Sequence, residues 1–222
     1  MPKFCVLRFA FCIRMKLYSP SKISRRLGER FFFKAERDSS SKSAMIKRPY
    51  PPGAHGKSRR RAISEFGAEL QEKQKIMYLY GLNDKQLKKY VQFSSRVKGK
   101  TKTRTLLERL EMRLDSVVYR LGLAHSRRIA RHMVSYGHIF LNGKPSKTPS
   151  QLLSVGDSIS IRESSRSNPL FEGLKVRLNK YQPPEWLGVN SEEAAGTILR
   201  PPSETDNLIL QNLSKVIEYY SR

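Results

Sequence analysis

The sequence predicts an α+β fold, a mostly helical body with a compact module of two helices and a small antiparallel sheet inserted into it. Three observations carry that prediction. Apolar residues recur at helical spacing behind capping residues over 64–80, 83–91 and 105–121. Asn142-Gly143 stands between alternating segments and is the strongest short hairpin signal in the chain. The 222 residues are 38% apolar and 28% charged, which allows a core of modest size.

The elements follow in order. Residues 1–63 are basic and irregular, and Pro49, Pro51, Pro52, Gly53 and Gly56 in RPYPPGAHGKSRRR exclude a helix there. The backbone amides of such a loop, with Lys57, Arg59, Arg60 and Arg61, suit phosphate contact. A disordered basic linker is the competing reading, and Phe31, Phe32 and Phe33 speak against it because they need burial. Ser64 opens a helix that runs to Tyr80 and stops at Gly81, with Leu70, Ile76, Met77 and Tyr80 on its buried side. Asn83 with Gln86 reads as a capping box for a second helix, with Leu87, Tyr90 and Val91 inward. Lys85, Lys88 and Lys89 line its other side.

After the basic linker RVKGKTKTR, Thr105 with Glu108 reads as another capping box. One helix should follow, carrying Leu106, Leu107, Leu110, Leu114, Val117, Val118 and Leu121 to Gly122. Ser126 caps the next helix, with Ala130, Met133 and Val134 as its apolar stripe and Arg127, Arg128 and Arg131 gathered on one exposed side. Gly137 ends it. A strand from His138 to Asn142, the Asn142-Gly143 turn, a segment Leu152 to Val155 and a strand from Ser158 to Arg162 complete the module, with Ile159 and Ile161 inward. His138 either contacts nucleic acid or packs at the start of its strand. Beyond Asn168 come short mixed segments, with Trp186 read as core, and Leu210, Leu213, Ile217 and Tyr220 suggest a last helix.

The charge is the strongest functional statement. The net +24 repels itself unless an anionic partner neutralises it, which favours nucleic acid, with a membrane surface second. Residues 1–104 hold 27 basic and 7 acidic residues, 105–162 hold 9 and 4, and 163–222 hold 7 and 8. The N-terminal half is thus the main electrostatic footprint. The two cysteines, Cys5 and Cys12, make no disulfide framework, an intracellular signature. No apolar run reaches the ~18 residues of a membrane span. Residues 1–14 read as an N-terminal extension. An upstream start codon, with Met15 as the functional start, is preferred over an organellar leader, although residues 1–28 carry seven basic and no acidic residues.

Catalytic patterns are not found. His55, His125, His132 and His138 are scattered, with no metal spacing, phosphate-binding Gly-Lys-Ser loop or Gly-x-Ser-x-Gly elbow. Asp115 reads as the anchor of an Arg or a cap, and Asp157 as a turn residue. No enzyme activity and no cofactor are expected. RNA is favoured over DNA, because no polar recognition face is visible and the charge exceeds what one operator requires. Extended phosphate contact to folded RNA fits better.

The segment RLDSVVYRLGLAHSRRIARHMVSYGHIFLNGKPSKTPSQLLSVGDSISI resembles the RNA-binding domain named after the small ribosomal subunit protein uS4. Several tRNA synthetases, pseudouridine synthases and a heat-shock protein share that domain. RPYPPGAHGKSRRRAISEFGAELQEKQKIMYLYGLNDKQLKKYV and PPEWLGVNSEEAAGTILRPPSETDNLILQNLSKVIEYYSR look like the bacterial-type uS4 body. The resemblance spans residues 15–222. It implies a body of residues 15–104 and 163–222 around a domain of residues 105–162. It also implies a structural protein that binds small-subunit rRNA early and helps its 5′ region fold. Such a protein sits where mRNA enters, beside uS3 and uS5, in a bacterial cytoplasmic or an organellar ribosome, and affects decoding accuracy. By motif match, Arg113, Arg127, Arg131, Asn142 and Lys144 would face rRNA, with Lys57, Arg59, Arg60 and Arg61 near rRNA or entering mRNA. The alternatives are an accessory of an RNA-modifying enzyme and a stand-alone RNA-binding regulator or chaperone.

One departure stands out. Many family members carry four cysteines spaced C-x2-C-x13-C-x4-C, and the matching positions here are Ser21, Ser24, Asp38 and Ser43. Three hydroxyls and one carboxylate do not hold structural zinc, so a zinc-free member is expected. It would rely on packing around Phe31 to Phe33 and on RNA contacts.

Overall fold

The computed structural model describes residues 19–31, 33, 38, 40–58, 62–168, 171, 173–203 and 212–221. Residues 1–14, Met15, Phe32, Arg59, Arg60, Arg61 and Leu210, singled out above, lie outside the described residues. The chain divides into two compact units, residues 1–31 with 36–61, and residues 32–35 with 62–222.

The smaller unit contains α1 (Pro20–Leu27) and α2 (Ala44–Lys47). Ile23, Leu27 and Phe31 are buried, as are Ser24 and Ser43. Arg25 ties this unit together. Its Nε donates to the carbonyls of Arg48 and Tyr50 at 3.1 and 2.9 Å, and its Nη2 donates to that of Pro51 at 3.1 Å. Its guanidinium also stacks over the Tyr50 ring at 4.9 Å. One planar cation with several donors thus holds three backbone carbonyls in one place.

In the larger unit, α3 (Glu65–Tyr80) and α4 (Asp84–Arg96) form as their caps require. Ser64 Oγ accepts from Gly67 N at 3.2 Å, Gly81 closes α3 with φ 62°, and Gln86 Oε1 accepts from Asn83 N at 3.2 Å. The next segment departs from expectation. Helix α5 is Lys102–Glu111, capped by Thr101 rather than Thr105, and α6 restarts at Leu114–Arg120. Arg113 interrupts the helix with extended backbone (φ −76°, ψ 140°) and bridges to Leu152. Leu153 N donates to Met112 O and Leu114 N to Gln151 O, both at 2.9 Å. The helical periodicity runs unbroken through this point because both helices bury the same residue types. A distant segment takes the backbone groups that a continuous helix would have paired internally.

Helix α7 (Arg127–Ser135) leads into β1 (Ile139–Leu141), β2 (Lys144–Pro145) and β3 (Ser158–Ile161). The β1–β2 turn places Asn142 at φ 49° and Gly143 at φ 77°, the two positive values a primed hairpin turn demands. A 3₁₀ turn (Glu163–Ser165), α8 (Leu174–Lys180), β4 (Leu187–Asn190), β5 (Ala195–Ile198) and α9 (Leu213–Ser221) follow. The sheet is antiparallel with order β2-β1-β3-β5-β4, so two of its strands lie beyond residue 162.

Two cores result. One joins Leu114, Val117, Leu121, Met133, Ile139, Ile159, Ile161, Leu178, Trp186 and Ile198. The other joins Ile76, Leu82, Leu87, Leu106, Leu110, Leu213 and Val216. Residues 171–198 therefore share the sheet core, and among the described residues of the C-terminal segment it is α9 that packs into the helical one. The cores do not divide at residue 162. A Cβ on Gly196 would meet Leu121 at 2.3 Å, so the residue that ends α6 lies directly on β5. Among the described residues, no helix is long and apolar enough to cross a membrane.

Candidate nucleic-acid interface

Helix α7 starts where Ser126 Oγ accepts from Ile129 N at 3.3 Å, and it buries Ala130, Met133 and Val134 against the sheet core. This fixes where its three arginines go. Arg127 and Arg131, four residues apart, share a flank that faces the helical core. The Arg127 guanidinium lies between the Tyr80 and Tyr119 rings, at 4.7 and 4.6 Å, and its Nη2 donates to Glu111 Oε1 at 3.3 Å. Arg131 Nη1 donates to the Gly81 carbonyl at 3.1 Å, joining α7 to the α3–α4 turn. Arg128 is exposed. The exposed three-arginine cluster read from the sequence is thus corrected: Arg127 is enclosed, Arg131 is half-buried and Arg128 faces outward.

Arg113 requires a larger correction. It was expected to face RNA, but its side chain is 1% exposed. Nε and Nη2 donate to the two carboxylate oxygens of Asp115 at 3.0 and 2.8 Å, and Nη1 donates to Tyr90 Oη at 2.7 Å. Asp115 is the Arg anchor that its position suggested. The break between α5 and α6 turns Arg113 inward.

Glu111 is buried as well, at 0% exposure. It accepts from Tyr80 Oη at 2.5 Å and from Arg120 Nε and Nη2 at 3.0 and 2.8 Å. Burial alone would raise its carboxyl. The charges of Arg120 and Arg127 and the hydrogen bonds from Arg120 and Tyr80 outweigh that and hold it below its ordinary value. Tyr80 is pushed well up by burial and by the Glu111 charge, so it remains a donor.

The outer surface carries the other cations. Lys85, Lys88 and Lys89 are exposed on α4, which follows the turn that Arg131 grips. Lys144 is exposed in β2, beside an exposed Asn142. The Asn142 amide is engaged within the fold, with Nδ2 donating to Asp157 Oδ1 and Oδ1 accepting from Ser158 N, both at 2.8 Å. Asp157 also accepts from Ser154 N at 2.7 Å, the turn role expected of it. His138 is half-buried with Nδ1 2.9 Å from Ser165 Oγ, which favours the packing alternative. Lys57 is exposed in the smaller unit, 5.5 Å from the Tyr50 ring.

Lys147, whose stem lies over the α7 end at Gly137, and Arg162 beside His138 are also exposed on this side of the domain and were not singled out in the sequence. Among the described residues, no group of three or more His, Cys, Asp or Glu gathers to hold a metal ion.

The family described as the Ribosomal protein S4/S9 N-terminal domain matches residues 16–111, and the S4 domain family matches residues 112–159. The small ribosomal subunit protein uS4 of Syntrophomonas wolfei is 45% identical over 198 residues, 89% of this chain and 94% of its own length. The chain belongs to the uS4 family. The uS4 proteins of Halothermothrix orenii and Caldicellulosiruptor saccharolyticus are 41% and 40% identical, each over 90% of this chain and 96% of the relative. The boundary between the two uS4-family matches, at 111/112, falls between buried Glu111 and the extended Arg113, where one core ends and the other begins.

Proposed function

We propose that this chain is a structural constituent of the small ribosomal subunit. It binds the subunit's rRNA through the exposed cations of α4, the outer flank of α7 and the β1–β2 hairpin. The observation that carries the reading is the sorting of charge around α7. The nearby carboxylates Glu111 and Asp115 are buried and neutralised by Arg113, Arg120 and Arg127. The outward cations Lys85, Lys88, Lys89, Arg128 and Lys144 are left to set the surface potential.

In this reading the protein binds the 5′ region of small-subunit rRNA early and nucleates assembly of the subunit body. It borders the path by which mRNA enters, beside uS3 and uS5, and bears on decoding accuracy. Lys57 and Arg59, Arg60 and Arg61 contribute to the same rRNA, or to mRNA, from the smaller unit. The protein resides on a ribosome of bacterial type. Ser21, Ser24, Asp38 and Ser43 leave it without zinc, the bonds of Arg25 serving in place of a metal.

The test is a salt titration of the full chain against a transcript of the small-subunit rRNA 5′ domain. Affinity should fall linearly on a log–log plot, with a slope of roughly −0.7 to −0.9 for each phosphate contacted. Binding no tighter than to an unrelated RNA of equal length overturns the reading.

A further inference from the structure

The connection between α6 and α7, residues 121–126, is largely buried, and Gly122 turns it with φ 77°. The Gly122 and Leu123 carbonyls lie past the end of α6 and outside the ladder of α7, so both need donors from elsewhere. One side chain of α8 supplies them. Arg177 Nε and Nη2 donate to the Gly122 carbonyl at 3.1 and 2.9 Å, and Nη2 also donates to that of Leu123 at 2.9 Å. Its Nη1 donates to Nε2 of the exposed His125, the residue before the Ser126 cap. These bonds go to carbonyls and an imidazole, whereas Arg113, Arg120 and Arg127 neutralise buried acids. Tyr181, which follows α8, closes the other side of the connection. Its ring lies so near Gly122 that a Cβ there would meet Cδ1 at 2.7 Å, and its hydroxyl donates to the Arg120 carbonyl at 3.1 Å. Leu174 and Leu178 root α8 in the sheet core.

We propose that Arg177 and Tyr181 are positioning residues for RNA binding, a clamp on the α6–α7 connection that fixes the direction in which α7 presents Arg128. Neither side chain needs to touch RNA. Only Ala124 and His125 separate the clamped Leu123 carbonyl from Ser126, so a shift at the connection is passed straight to the start of α7. A planar guanidinium can serve two successive carbonyls and an imidazole at once, a fan of acceptors that a single ammonium does not match. Binding groups work when the elements beneath them are held rigidly, and α8 provides that support from the core. The clamp lies outside residues 112–159, which match the S4 domain family, so the C-terminal segment supplies part of that domain's binding geometry. This rests on the rRNA-binding reading and names what sets the aim of the α7 cation.

The experiment compares the full chain with Arg177→Ala, Arg177→Lys and Tyr181→Phe. Melting temperature, amide hydrogen exchange over residues 122–130, salt slope, and affinity for the 5′-domain transcript and for an unrelated RNA of equal length are all measured. Arg177→Ala should lose about tenfold of its preference for the transcript, with faster exchange at residues 122–130. Its salt slope and its affinity for the unrelated RNA should stay as in the parent, because the surface cations keep their number and lose only their placement. Arg177→Lys should lose most of the same preference although the charge is kept. Tyr181→Phe, which gives up one hydrogen bond and keeps the ring on Gly122, should stay within about threefold of the parent. Should Arg177→Ala fail to fold, Arg177→Lys carries the test at a temperature where it is folded. A folded variant of Arg177 with the parent's preference and the parent's exchange overturns the inference and leaves rRNA binding intact. So does Arg177→Lys binding like the parent while Arg177→Ala loses a phosphate's share of the salt slope, which would make Arg177 a direct phosphate contact. A parent chain that does not prefer the transcript overturns both.

Discussion

Two regions of the molecule use arginine in opposite ways. At the seam between the cores, Arg113, Arg120 and Arg127 are enclosed and meet Asp115 and Glu111 at 2.8, 2.8 and 3.3 Å. On the outer flank of α7 and along α4, Arg128 and Lys85, Lys88 and Lys89 face water. Arg127 and Arg128 are neighbours in the chain, yet one belongs to each region. What separates them is rotation about α7 and the presence of a buried carboxylate. A cation near a buried acid with aromatic rings beside it joins the structure, and the next cation along keeps its charge at the surface. Basic composition therefore overstates the binding surface. Part of the positive charge serves to neutralise acids that the fold itself has buried.

Three predictions test this division. The largest effect should come from Arg127→Glu, which sets a second carboxylate against Glu111 and removes a cation held between Tyr80 and Tyr119. Removing one partner of a buried pair costs about 3–5 kcal/mol, so chemical denaturation should register a loss of at least that order. A stable Arg127→Glu with selectively lost RNA binding would move Arg127 to the outer region.

The second is a pH effect. Glu111 is held below its ordinary value of 4.5 by its arginines and Tyr80, against the raising effect of burial. A depressed folded-state value means that its ionised form contributes stability above the ordinary value. That contribution is lost as pH falls through the folded value. Stability should therefore decline below about pH 4.5 in the parent. Glu111→Gln should start lower and show a shallower decline. Equal slopes in urea titrations at several pH values would remove Glu111 from its place at the seam.

The smallest stability effect, and the clearest binding effect, should come from Arg128→Gln. An exposed substitution stays within about 0.5 kcal/mol in stability. Binding to the 5′-domain transcript should weaken, and the log–log salt slope should shrink by roughly 0.7 to 0.9, one phosphate contact. An unchanged slope would remove Arg128 from the interface.

Much of the local structure was legible. Ser64, Asn83, Ser126 and Gly81 mark helix ends because capping is a local event, settled within four residues. Asn142-Gly143 marks the hairpin because few residues accept two consecutive positive φ values. The break at Arg113 was not legible, since its cause is a backbone pairing with Leu152, 39 positions on. Strands β4 and β5 are four residues each and read as mixed segments, the register of β5 being set by β3 and that of β4 by β5 rather than by their own pattern. On α7 the sequence marked the helix and its cap, but not which of its arginines the fold encloses. Arg113 looked like an RNA ligand because nothing local reveals that it turns inward onto Asp115 and Tyr90.

By itself the sequence determined the partner's charge, the α+β class, the positions of the caps and the hairpin, and the resemblance that family membership then established. These follow from composition and short-range chemistry. Only the tertiary structure decided that residues 171–198 belong to the sheet core and that Arg113 and Arg127 serve the fold. It also decided that Arg128 stands at the surface. Those outcomes depend on which distant carboxylate, ring or strand a side chain meets, and that is fixed by packing between segments far apart in the chain.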